Sequence, residues 1–246
     1  MTLGMYLINS RLCKRRIGAR LRMRCGARPN SPYGLKQWPA PHRILSPSPQ
    51  KIGRLHSAIN STCKAGRMTA VFIDRDGTMG GGYDMEFPWM YAPYPGTREA
   101  FALLNSNGFF PIIFTNQSCI ARGKDNGYDF AAEFREIGAY DWFICPHDAG
   151  DGCNCRKPKT GLLEQAQAKY GLDLSSCFVI GDRWSDMLAG GLCGCRLILV
   201  MTGRGQESLG IDRARWGGYS PDWVAPDILD AARWICRHKD NNTKPA

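Results

Sequence analysis

From residue 70 onward, short apolar runs alternate with segments in which apolar residues recur at three- and four-residue spacing. The runs Val71–Asp74, Pro111–Thr115, Trp142–Cys145, Phe178–Ile180 and Leu197–Val200 are too uniformly apolar for a sheet with one wet face, and they read as parallel strands covered on both sides. A weaker sixth run is Trp223–Ala225. Between them, "REAFALLNSNG", "DFAAEFREIG", "TGLLEQAQAKYG" and "SDMLAGG" carry helical spacing, and several close on glycine as a C-cap would. This alternation predicts an α/β fold built on a doubly wound, Rossmann-like parallel sheet.

Three predicted strands run straight into polar residues. Asp74 and Asp76 follow the first, Thr115-Asn116-Gln117-Ser118 the second, and Gly181-Asp182 the fourth. Ligands of open parallel sheets sit beyond the carboxyl ends of the strands, so these groups are expected to converge in one crevice. Asp74 and Asp182 supply two hard oxygen ligands and the Asp76 carbonyl a third, an open shell suited to Mg²⁺. With the ion, the amides of the Asp76-Gly77-Thr78 turn would hold a phosphate. Asp74 is then placed to attack phosphorus, and Asp76 to protonate the leaving oxygen and later deprotonate water.

Asp-x-Asp-Gly alone is a common turn signal, Thr115 alone an ordinary strand end, and Lys157 alone a solvated lysine. In combination, Thr115 and the Lys157 of "CRKPKTG" are candidates to hold the transferring phosphoryl group, while Asn116, Gln117 and Ser118 are candidate substrate contacts. Asp186, one helical turn after Asp182, would order the metal shell or pair with Lys157.

A second cluster lies in "CPHDAGDGCNC". Cys145, His147, Cys153 and Cys155 form a closed set of three thiolates and one imidazole, which fits structural Zn²⁺ better than catalytic zinc. The chain has 11 cysteines, but the others form no obvious disulfide framework.

Composition changes this picture mainly at the N-terminus. Residues 1–67 hold fourteen Lys and Arg and no Asp or Glu, so a net charge of +10 conceals a remainder with eighteen basic and twenty-two acidic residues. Residues 1–67 are expected to be a Pro-rich disordered extension, either a phosphate-binding or targeting arm or a mis-assigned start with Met68 as the true one; residues 68–240 form the folded domain. A nucleic-acid-binding protein using this arm is the alternative from another class, disfavoured by the acidic remainder and by Asp148 and Asp151 in the metal loop. A zinc-stabilised scaffold with a vestigial site ranks below both. No apolar run approaches the ~20 residues that span a bilayer, so no membrane partner and a cytoplasmic location are expected.

"DRDGT", "TNQS", "CRKPKTG" and "GDRWSD", in this order and each beyond a strand, resemble the four motifs of the haloacid dehalogenase-like phosphatases, in particular their capless histidinol-phosphatase and heptose-bisphosphate phosphatase branch. The resemblance spans about residues 70–235. It implies Asp74 as nucleophile, Asp76 as general acid/base, Thr115 and Lys157 on the phosphoryl group, Mg²⁺ held by Asp74, Asp76 and Asp182, a zinc loop before the Arg-Lys-Pro motif, no large cap, and substrate contacts from Arg156 and Arg183. The implied partner is a small phosphorylated metabolite, a sugar bisphosphate of the heptose type, with histidinol phosphate as the alternative; a monomer without nucleic acid is expected. The chain departs from that branch at Met79 and the glycines after it, at Cys119 in place of glycine, and in its short segment from Gly123 to Cys145. The aromatic stretch Phe87 to Gly96 is either a substrate platform or a loop packed on the core.

Overall fold

Six parallel strands form one sheet in the order β3-β2-β1-β4-β5-β6. They are β1 (Ala70–Ile73), β2 (Phe110–Asn116), β3 (Asp141–Cys145), β4 (Phe178–Gly181), β5 (Arg196–Val200) and β6 (Trp223–Ala225). The structure, a computed structural model, describes residues 68–82 and 87–239. The extension expected over residues 1–67 lies outside the described residues.

All six expected strands are present, with shifts at two ends that matter for the crevice. β1 stops at Ile73, one residue early; the Asp74 amide still donates to the Ile180 carbonyl at 3.0 Å before the chain leaves the sheet. β2 runs one residue further than expected, because Asn116 pairs with Cys145 of β3.

The helices among the described residues are α1 (Thr97–Ser106), α2 (Ser118–Ala121), α3 (Phe130–Ile137), α4 (Gly161–Tyr170), α5 (Trp184–Leu192), α6 (Gly205–Leu209) and α7 (Ile228–Arg237). The two-residue alternation of β1 assigns them to faces. Val71 and Ile73 point into one core with residues of α1, α3 and α7, whereas Ala70 and Phe72 point into the other with residues of α4 and α5 and with Trp216. Phe72 is fully buried and meets Phe114 edge-on at 6.0 Å; truncation to alanine would cost about 3–5 kcal/mol.

Local chemistry explains the helix ends. Asp129 caps α3 by accepting from the Ala132 amide at 2.9 Å, and α3 closes on Gly138 at φ 95°, a left-handed conformation that favours glycine. The sequence reading does not anticipate α7, although its signals are present. Ile228, Ala231, Ala232 and Ile235 make a buried stripe, and Asp227 accepts from the Asp230 amide at 2.9 Å.

β1 has β2 on one side and β4 on the other, so chain winding reverses about it and a crevice opens over the carboxyl ends of these three strands. No described helix is long and apolar enough to cross a membrane.

Candidate active site

The crevice has a volume of about 750 Å³, and its floor is made by the strand ends. Asp74, Asp76, Asn116, Gln117, Ser118, Arg156, Lys157 and Arg183 all line it. Residues separated by up to 109 positions thus meet, whereas Thr115 and Asp182, expected in the same crevice, are buried and do not form part of its lining.

Asp74 is buried, and its Oδ1 accepts from Lys157 Nζ at 2.6 Å. The same ammonium meets Asp186 Oδ1 at 2.7 Å and donates to the Phe114 carbonyl at 2.9 Å. Two hydrogen bonds and one ion pair therefore fix it beside Asp74 rather than in solvent. Burial opposes the Lys157 charge, but Asp186 and Asp74 outweigh it and the pKa is raised. Of the two roles expected of Asp186, pairing with Lys157 is the one seen here; its Oδ2 accepts from the Arg183 amide at 3.0 Å.

Carboxylate oxygens of Asp74, Asp182 and Asp186 lie within 4.8 Å of one another. Burial, reinforced by Asp74 and Asp186, pushes Asp182 up to about 8, and burial pushes Asp186 up to about 6. Anionic oxygens crowded at that depth are a donor set for a hard divalent cation. Both oxygens of Asp182 are oriented, Oδ1 by Thr78 Oγ1 at 3.1 Å and Oδ2 by the Arg204 amide at 2.8 Å. Gly77, at φ 87°, and Gly203, at φ 54°, press against this carboxylate so closely that a Cβ on either would overlap Asp182 Oδ2. The sequence reading uses only the amide of Thr78, not its hydroxyl, and it misses the Gly203-Arg204 loop, for which the glycine-flanked "TGRG" one residue after β5 is the available signal.

The Asp76 side chain stands apart from the carboxylate cluster, so only its carbonyl remains as the expected third oxygen. Its Oδ1 accepts from Arg75 Nη1 at 2.6 Å and its Oδ2 from Gln117 Nε2 at 2.7 Å. Burial raises the Asp76 carboxyl against the pull of Arg75, and the Asp74 charge adds to the effect of burial, which favours a carboxyl able to carry a proton. The expected cradle of three amides is reduced to two. Gly77 donates its amide to the Gly80 carbonyl at 2.9 Å, while among the described residues no acceptor takes the Asp76 or Thr78 amide.

The residues after β2 face the crevice but are largely occupied. The Asn116 side chain accepts from the Lys157 amide at 3.0 Å and donates to the Lys157 carbonyl at 3.2 Å, holding the lysine backbone as a neighbouring strand would. Gln117 bridges Asp76 and Thr115, donating to Thr115 Oγ1 at 2.9 Å and leaving the Thr115 proton for an incoming oxygen. Ser118 accepts from Arg156 Nη1 at 2.7 Å. Asn116 and Gln117 are thus positioning groups in this geometry more than direct substrate contacts.

The aromatic stretch divides. Pro88 lines the crevice, Trp89 is stacked on Phe87 at 4.9 Å and 48% exposed, and the Tyr91 ring packs on the Arg75 guanidinium at 4.0 Å. Trp89 and Tyr91 are absent from the crevice lining; Tyr91 packs against the core, as the packed-loop alternative expects, whereas the exposed Trp89 fits neither reading.

Cys145, His147, Cys153 and Cys155 converge behind the Arg156 wall. Zinc with Zn–S near 2.3 Å and Zn–N near 2.0 Å sets tetrahedral S–S edges of about 3.8 Å and S–N edges of about 3.5 Å. Cys145 Sγ lies 3.7 Å from Cys153 Sγ and 3.6 Å from His147 Nδ1, and Cys155 Sγ lies 3.3 Å from His147 Nδ1. The residues fit the ion, and all three sulfurs are free of disulfides. Cys155 adjoins Arg156, and the His147 carbonyl accepts from Arg156 Nη1 at 3.1 Å, so the cluster and the crevice share a wall.

A profile of HAD-hydrolase-like proteins matches residues 154–231. The D-glycero-beta-D-manno-heptose-1,7-bisphosphate 7-phosphatase of Pseudomonas aeruginosa is 38% identical over 154 residues, 57% of this chain and 85% of its own. Its counterpart in Neisseria meningitidis serogroup B is 31% identical over 192 residues, 72% of this chain and 98% of its own. The crystal structure of D,D-heptose 1,7-bisphosphate phosphatase from B. bronchiseptica, complexed with magnesium and phosphate, superposes with a TM-score of 0.62 at 29% identity, covering 70% of this chain and 99% of that one.

Proposed function

The chain belongs to the haloacid dehalogenase-like phosphatases, and on that premise we propose that it is a Mg²⁺-dependent phosphomonoesterase that hydrolyses a sugar bisphosphate of the heptose type through an aspartyl-phosphate. The observation that carries this reading is the buried Asp74 with Lys157 on one side and Asp182 on the other, open to a crevice with arginines in its wall.

Mg²⁺ held by Asp74, Asp182 and the Asp76 carbonyl would neutralise the charge of the phosphate oxygens. The rest of the reaction belongs to the protein. Thr115 and the free amides of Asp76 and Thr78 orient the phosphoryl group, and Lys157 offsets its charge. An Asp74 oxygen attacks phosphorus in line; the bond to the leaving oxygen breaks, and that oxygen takes the Asp76 proton, leaving Asp76 as carboxylate. Water then attacks the phosphorus of the aspartyl-phosphate and passes a proton to Asp76, the Asp74–phosphorus bond breaks, and phosphate leaves. Both protein groups return to their starting state.

Arg156 and Arg183 would recognise the remainder of the substrate, because their planar forks suit a second phosphate and sugar hydroxyls. Zn²⁺ at the Cys₃His cluster has a structural role in this reading: it fixes the direction from which Arg156 and Lys157 enter the crevice.

The test is an assay of the full chain with Mg²⁺ against sugar bisphosphates, sugar monophosphates, histidinol phosphate and nucleotides, with Asp74→Asn as control. Preference for a heptose-type bisphosphate, lost in the variant, is expected. Preference for histidinol phosphate would move the substrate assignment, and inactivity of the folded protein on every ester would remove the catalytic one.

A further inference from the structure

Arg75 stands between two catalytic carboxylates and has no part in the mechanism above, yet it is 1% exposed. It donates from Nε to Glu133 Oε1 at 2.8 Å and from Nη2 to Glu133 Oε2 at 2.6 Å, a bidentate pair with α3, while Nη1 holds Asp76 Oδ1 at 2.6 Å. Nη2 also reaches the Pro88 carbonyl at 3.2 Å, and the Tyr91 ring covers the guanidinium. Glu133 is fixed in turn: its Oε2 accepts from Tyr128 Oη at 2.6 Å, and its side chain is 10% exposed.

We propose that Arg75 and Glu133 form a positioning brace that aims Asp76 at the leaving oxygen. A bidentate pair locks the plane of the guanidinium to α3, 58 residues away in sequence. Because Glu133 takes the two-pronged edge, Asp76 receives a single bond from Arg75, and Gln117 holds its other oxygen at 2.7 Å. One oxygen from each side fixes the carboxyl plane while leaving it able to turn out of one bond toward a substrate. Without Glu133, the buried guanidinium would draw Asp76 into its own two-pronged edge, away from the reaction. The tightness of such alignment matters because a general acid contributes about 10²–10⁴-fold, and displacement of about 1 Å forfeits much of that.

This inference rests on the phosphatase reading, and its test separates the two. The full chain with Mg²⁺ is assayed for kcat/KM, which reports only as far as departure of the leaving group, on its best sugar phosphate and on p-nitrophenyl phosphate. The sugar alkoxide needs a proton to leave; p-nitrophenolate does not. Glu133→Gln is expected to lose about 10²-fold on the sugar phosphate and no more than a few-fold on the aryl ester, reproducing the selectivity of Asp76→Ala. Tyr128→Phe, which keeps every charge and loosens Glu133, is expected to show the same bias at a few-fold and serves if Glu133→Gln fails to fold. Equal losses on both esters, or wild-type values in the two variants while Asp76→Ala remains selective, overturn the brace. A wild-type protein inactive on both esters overturns the phosphatase reading and the brace with it.

Discussion

Gly203→Ala tests whether close backbone packing helps to aim Asp182, the carboxylate proposed to hold Mg²⁺. Residue 203 has φ 54°, where a residue with a Cβ is disfavoured by about 1–2 kcal/mol. The added methyl would overlap Asp182 Oδ2 and stand 2.6 Å from Gly77 Cα and 2.7 Å from the Gly77 carbonyl oxygen. Ordinary contacts lie near 3.5 Å, so Asp182 or the Gly77 turn must retreat by about 1 Å. That costs roughly 1–3 kcal/mol of overpacking and disturbs an oxygen whose other bond, from the Arg204 amide, belongs to the same loop. The expected result is a loss of roughly 2–4 kcal/mol, a melting temperature lower by roughly 5–15 °C, and a fall of about 10²-fold in kcat/KM at fixed Mg²⁺. The Mg²⁺ activation midpoint should rise by at least about tenfold. Calorimetry and Mg²⁺ titration of activity measure these directly. Gly82→Ala, where a Cβ meets nothing within 4 Å among the described residues, is the control and should stay within about 0.5 kcal/mol of wild type. A Gly203→Ala protein with the wild-type Mg²⁺ midpoint and kcat/KM would refute the cradle.

Asp74→Asn is expected to lower turnover by at least about 10³-fold while circular dichroism and zinc content stay at wild-type levels; near-normal turnover would sink the nucleophile assignment. Cys153→Ser should lose bound metal, measured by elemental analysis, and melt at lower temperature, with activity falling as a consequence; full zinc occupancy in the variant would contradict the ligand set. Without added Mg²⁺, Asp182 near pKa 8 and Asp186 near 6 both lie above their ordinary 3.8, so each binds its proton more tightly folded than unfolded. The stability they lend is complete below about pH 4 and is lost as pH rises through 6 and then 8. The melting temperature should therefore fall between pH 5 and pH 8.5 in Mg²⁺-free buffer, and saturating Mg²⁺ should remove much of that fall; equal slopes with and without Mg²⁺ would count against the shared carboxylate site.

The division between what the sequence reveals and what it hides follows the range of each interaction. Strands buried on both faces leave uninterrupted apolar runs, and the chemistry sits at the point where each run turns polar, so Asp74, Thr115 and Asp182 are legible one strand at a time. The candidate metal cluster from Cys145 to Cys155 is legible for a similar reason: its four side chains lie within one short loop. The hydrogen-bond partners are different. Asp182 depends on Gly203 through backbone approach, Asp76 on Gln117 and Arg75, and Arg75 on Glu133, and nothing in the local pattern around Glu133 separates it from any acidic residue on a solvated helix face.

That difference also bears on how the site holds its shape when the described residues include no large cap. Nearly every polar side chain of the crevice floor is tied to a second element: Lys157 to β1, β2 and α5, Asn116 to the Lys157 backbone, Gln117 to the β1 turn, and Arg156 to the metal loop through the His147 carbonyl. Closure of a cap over a bound substrate is one way to assemble such a constellation at the moment of reaction. Here the alignment rests on buried ion pairs and two-sided hydrogen bonds, which leave each group few alternatives. Selectivity must then come from what stands above the floor, where Arg122 pairs with Asp148 at 2.6 Å and Arg156 is anchored beside it. Charge reversal at Asp148 should therefore alter KM across a series of sugar phosphates while leaving the floor, and with it the kcat of a small substrate, nearly untouched.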